Sequence, residues 1–128
     1  MRSSLSLLMV LICLISIVSG VAQLIAPAFV LSMVGASASA SALHFFAIVG
    51  MFMALFGGMV LHAIYSAYPN LIAIRWGAMQ KLGAFVAVGL GVIQGVFAPL
   101  ALGVAFFDLF SGLLFLYYLK TLPGHEAA

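Results

Sequence analysis

Asp108 is the first residue to ask about, because it is the one acid outside the C-terminal tail and it falls in the middle of an apolar stretch. A carboxylate at the centre of a membrane-spanning helix costs about 2.5–3.5 kcal/mol on insertion scales, so something must compensate it. Three roles fit such a group. It is protonated and hydrogen-bonded within the fold, it lines a small ligand or ion pocket, or it pairs with another chain. The polar residues expected at its depth are Gln23 and Gln94, with His44 further toward the same surface, and together they make a candidate polar pocket.

Lys81 is the obvious counter-charge, but a count along the chain argues against it. If the chain turns back at Pro99, Lys81 lies about 26 Å down one helix and Asp108 about 14 Å down the next, at a rise of 1.5 Å per residue. That leaves about 12 Å of depth on top of a helix spacing of about 8–10 Å. Lys81 then falls level with Tyr117 and Tyr118 and is expected to reach toward the headgroups, with Arg75 as a second interfacial cation.

The histidines offer less chemistry. His44 and His62 are eighteen residues apart, five helical turns, so they share a face but stand about 27 Å apart. One metal ion cannot be held by both, and no metal site is expected. A single axial histidine, His44 or His62, leaves room for a haem or other pigment, but the primary expectation is no cofactor and two histidines at the membrane edges. The chain has no cysteine pair, no HExxH and no phosphate-binding glycine loop. With so few acids and no base accompanying its serines, it is expected not to be an enzyme.

The elements that must position these residues follow from composition. The 128 residues are 67% hydrophobic and 5% charged, against about 25% charged in a soluble domain. The fold class expected is all-α, an integral membrane four-helix bundle in a single domain. Spans are placed at about 5–30, 42–65, 77–97 and 100–119, each long enough to cross about 30 Å of hydrocarbon, with a polar tail over 120–128. Arg2 before an apolar run, with Gly20-Val21-Ala22 beyond it, imitates a secretory signal. The apolar character continues to Leu31, and an uncleaved first span is expected, kinked or ended at Pro27. A Ser/Ala loop over 32–41 is uncharged and reads as a flexible connector, and a second loop over 66–74 turns at Pro69-Asn70.

Four crossings put Arg2, Arg75, Lys81 and Lys120 on one side and no Lys or Arg on the other. Positive charge marks the cytoplasmic side, so both termini are expected in the cytoplasm (N-in/C-in) of a bacterial inner membrane. Tyr65, Tyr68, Trp76, Tyr117 and Tyr118 fall on that side as an aromatic belt. A net charge of +2 with no basic run gives no nucleic-acid surface.

Small residues four apart let helix backbones approach closely. Gly83, Ala87, Gly91 and Gly95 form such a row on the third span, and Gly50, Ala54 and Gly58 on the second. The two rows are expected to pack together, or one of them against another subunit.

Three segments, LIAPAFVLSMVG (24–35), GAMQKLGAF (77–85) and FFDLFSGLLFLYYLK (106–120), make the chain resemble the DoxX-like group of small four-helix bacterial membrane proteins. That resemblance implies an inner-membrane four-helix bundle, in some cases with redox or quinone-linked partners, and marks Lys81 and Asp108 as positions of interest. The functional expectation is a non-enzymatic accessory or structural subunit of a larger membrane assembly. Its partners are the lipid bilayer and other membrane subunits or further copies of the chain. The alternatives are a small carrier or ligand-binding protein with its pocket at Asp108, and a pigment- or haem-bearing subunit.

Overall fold

The computed structural model describes residues 4–122; Arg2 and the part of the polar tail from residue 123 on lie outside them. The described chain is all-helical. Helix α1 spans Ser4–Ile25, α2 Pro27–Met33, α3 Ala40–Tyr65 and α4 Leu71–Ile93; after a turn and a 3-10 segment at Pro99–Ala101, α5 spans Leu102–Thr121. Four helical segments are long and apolar enough to cross a membrane: α1, α3, α4, and α5 together with the 3-10 turn before it. That arrangement fits a multi-pass membrane protein.

The breaks have local causes. Pro27 has no amide hydrogen, so the Gln23 carbonyl loses its helical donor, and the expected single span 5–30 divides into α1 and α2. Helix α4 begins at Leu71, six residues before the expected start, because the Asn70 side chain caps it by accepting from the Ala73 amide at 3.0 Å. Both α2 and α4 end on a glycine in the left-handed region, Gly35 at φ 72° and Gly95 at φ 76°. At each, the following amide reaches back to the helix: Ala36 to the Leu31 carbonyl at 3.2 Å and Val96 to the Gly91 carbonyl at 2.8 Å. This is the Schellman closure, which satisfies carbonyls the helix would otherwise leave open. Gly95 is therefore a helix terminator and not a member of a packing row. The two turns are joined where the Ala98 amide donates to the Val34 carbonyl at 2.8 Å.

Packing pairs α1 with α3 and α4 with α5, with a thinner contact between α3 and α4. The first pair closes on backbone. A Cβ placed on Gly20 would lie 2.5 Å from the Gly50 carbonyl oxygen and 2.7 Å from the Ala54 amide nitrogen. The row on α3 thus faces α1, not α4, and its continuation on that side is Gly57, which meets Ile17 and the Cys13 carbonyl. Gly58 has open space above it. On α4, Gly83 is also open, Ala87 is exposed, and Gly91 is covered by the ring of Phe97. The expected packing between the two rows is absent. The second pair closes where Gly112 of α5 sits against Leu82 and the Ala78 carbonyl.

The apolar core lies toward the end where the described chain starts and stops. Met9, Ile12, Cys13, Val60, Ile64, Ile74, Phe115 and Tyr118 form it, with Leu5, Leu71 and Leu122 packed around it. Tyr118 is buried there instead of joining the exposed Tyr65, Tyr68, Trp76 and Tyr117.

Candidate functional site: a buried ion pair at mid-depth

Helix α1 is built inside out. Its buried positions are Ser6, Met9, Ile12, Cys13, Ser16, Gly20 and Gln23, whereas Leu7, Leu11, Leu14 and Val18 are exposed. In water the apolar stripe would turn inward. In hydrocarbon, Leu and Val are as well placed outside, and small or polar groups turn in, where they can pack or hydrogen-bond. The spacing of Ser6, Cys13, Ser16, Gly20 and Gln23, in steps of 7, 3, 4 and 3, carries that signal in sequence.

Ser16 is one wall of the site. Lys81, eleventh of the 23 residues of α4, extends between α1 and α5 and is only 5% exposed. Its Nζ lies 3.5 Å from Asp108 Oδ1, donates a hydrogen bond to Ser16 Oγ, and stands 5.4 Å from the centre of the Phe107 ring. Asp108 is itself buried, and the fully buried Ser111 one turn on donates to the Phe107 carbonyl at 2.7 Å. Cys13 is buried one turn before Ser16. A charge removed from water costs several kcal/mol unless a partner and hydrogen bonds restore what hydration supplied. Here the carboxylate, the hydroxyl and the ring face divide that task.

The pair corrects the expectation that Lys81 and Asp108 are too far apart in depth, and with it the placing of Lys81 at the headgroups. The error was the position of the hairpin tip. The rings of Phe85 and Phe106 are 6.2 Å apart and Gly112 sits on Ala78 and Leu82, contacts mirrored about residue 96, not Pro99. Moving the tip by three residues moves each facing position by six. Lys81 then faces residue 111, three residues or about 4.5 Å from Asp108 in depth, within reach of a lysine stem.

The other residues of the expected pocket lie elsewhere. Gln23 is buried, but its Nε2 donates to the Phe46 carbonyl of α3 at 2.8 Å, so it joins α1 to α3 beyond the Gly20–Gly50 crossing. Gln94 is the C-cap of α4 and is exposed. His44 is exposed in the second turn of α3, and His62 is exposed in its last turn. Arg75 is half-buried near the start of α4. Among the described residues no group of three or more His, Cys, Asp or Glu is placed to hold a metal ion. Every buried side-chain nitrogen or oxygen among them has a hydrogen-bond partner.

The site can therefore join three helices through one ammonium group. Ser16 is the member that the reading of sequence missed. No protein-family model, no curated protein and no solved structure matches this chain.

Proposed function

We propose that this chain is a non-enzymatic accessory or structural subunit of a larger assembly in a bacterial inner membrane, with both termini in the cytoplasm. The observation that carries the proposal is the exposure of α4. It is the least apolar of the four spans, with 5 of its 23 residues buried against 7 of 22 in α1 and 7 of 20 in α5. Its open side bears Gly83 and Ala87, small residues that admit the backbone of another helix. The polar interior, by contrast, is satisfied within the chain. Arg75 and Lys120 support the orientation, since basic residues favour the cytoplasmic side. The likeness of the Lys81 and Asp108 segments to the DoxX-like group agrees with this reading.

The test is native mass in mild detergent, for the wild type and for Gly83→Leu. A Cβ on Gly83 meets nothing within 4 Å in the chain, and an unchanged melting temperature verifies that the variant bundle is intact. The expected result is a complex larger than the single chain that Gly83→Leu dissociates. A single chain in both proteins would overturn the proposal.

A second reading rests on Asp108 itself: a small carrier in which a substrate cation displaces Lys81 from the carboxylate. It requires uptake that is lost in Asp108→Asn, whereas a subunit role requires none.

A further inference from the structure

The open side of α4 carries one polar side chain. Trp76, Gln80, Gly83, Ala87 and Leu90 fall four, three, four and three residues apart, the alternation that keeps a row facing one neighbouring helix along its length. None of the five is buried by the chain: Gln80 is half-buried and the other four are exposed. The row lies away from α5, because Ala78, Lys81 and Leu82 are the α4 residues that meet Asp108 and Gly112. Gln80 is tenth of the 23 residues of α4 and adjoins Lys81, so its amide stands at the depth of the ion pair. It makes no hydrogen bond among the described residues, whereas Gln23 has the Phe46 carbonyl. The start of α4 is about 14 Å away at 1.5 Å per residue, beyond the reach of a glutamine. In hydrocarbon no water stands in for the missing partner, and a neighbouring helix is what supplies one.

Symmetry selects the helix. A second copy in the same membrane has the same orientation. A two-fold axis along the membrane normal sets its α4 parallel to the first and brings Gln80 to Gln80 at equal depth. The glutamine amide both donates and accepts, so two identical amides satisfy each other. The row holds no charge that would call for an unlike partner. Gly83, where a Cβ would meet nothing within 4 Å, and Ala87 follow directly and let the two backbones approach. We infer that α4 packs against α4 of a second copy of this chain, with Gln80 hydrogen-bonded to Gln80 across the two-fold axis. The inference rests on the subunit reading above and names one partner in that assembly.

The experiment is disulfide cross-linking in native membranes. Gln80→Cys and Leu113→Cys are each made together with Cys13→Ala and oxidised. Leu113 is exposed on α5 and faces Met79 in the register about residue 96, so it measures chance collision at the same depth. Gln80→Cys is expected to give a covalent homodimer, since a disulfide needs the two backbones within about 7 Å, and Leu113→Cys is expected to give none. A second measurement leaves the core untouched. Gln80→Leu is expected to raise the dissociation constant of the dimer in detergent about fivefold or more, with an unchanged melting temperature to verify the fold. No dimer from Gln80→Cys, equal cross-linking from Leu113→Cys, or unaltered dissociation in Gln80→Leu would each overturn the inference. A complex that Gly83→Leu dissociates but that gives no covalent homodimer would overturn this inference and leave the subunit reading standing; a single chain throughout would overturn both.

Discussion

Lys81 Nζ and Asp108 Oδ1 stand 3.5 Å apart near the middle of two adjacent helices, and the same ammonium group donates to Ser16 on a third. One side chain thereby joins α1, α4 and α5 at the depth where unpaired charge is most costly. On either side of it the bundle is held differently, by an apolar core toward Leu71 and by the Gly20–Gly50 crossing and the Gln23–Phe46 bond toward the other end.

Ser16 contributes an acceptor, not a charge. Ser16→Ala leaves Lys81 paired with Asp108 but short of one hydrogen bond. Equilibrium unfolding in detergent is expected to show a loss of about 1.5–3 kcal/mol, the range for a hydrogen bond to a charged group. A loss under 0.5 kcal/mol would remove Ser16 from the site.

The two kinds of glycine separate in a second experiment. Gly20→Ala drives a methyl group into the Gly50 carbonyl and the Ala54 amide, backbone atoms that move only if α1 and α3 part. It is expected to lower stability by about 1–3 kcal/mol. Gly103→Ala, in open space on α5, is expected to be neutral or to stabilise by up to about 1 kcal/mol, since alanine favours the helix. Melting temperatures of the two variants against wild type are the measurement, and equal shifts would contradict the packing described.

Gly95 has open space around it, yet its φ of 76° excludes a free exchange for alanine. Gly95→Ala is expected to cost about 1–2 kcal/mol from the left-handed backbone alone. A stabilised Gly95→Ala would show that α4 does not end in this closure.

Cys13 reports the opening of the interior. It is 1% exposed and one turn from Ser16, so a membrane-permeant maleimide is expected to label it only when α1 separates from its neighbours. Labelling in the native bundle should be slow, and about tenfold or more faster in Lys81→Met, followed by mass spectrometry. Rapid labelling of the wild type would contradict the burial of that face.

Much of the fold was legible because hydrocarbon as solvent imposes long uncharged helices, and composition displays them. Asp108 stood out for the same reason. The inner side of each helix was harder to read. Gly83 and Gly95 have the spacing of a packing row, but one faces out and the other ends a helix, and spacing alone does not separate these roles from that of Gly20. The Lys81–Asp108 pair was hidden by a hairpin tip placed three residues late. Pro99 is the conspicuous turn residue, but the chain reverses around Gly95 and Val96, where the φ of a glycine does the turning. Ser16 was passed over because a lone serine in an apolar helix is unremarkable until the series from Ser6 to Gln23 is read as one face.

A double-mutant cycle on Lys81→Met and Asp108→Leu, read as unfolding free energy in detergent, measures whether the two charges hold the three helices together. Each single change strands one charge and is expected to cost about 3–5 kcal/mol, whereas the double change leaves none and is expected to fall within about 2 kcal/mol of the wild type. Single losses that simply add in the double variant would show that Lys81 and Asp108 do not act on each other, and the ion pair would no longer hold the three helices.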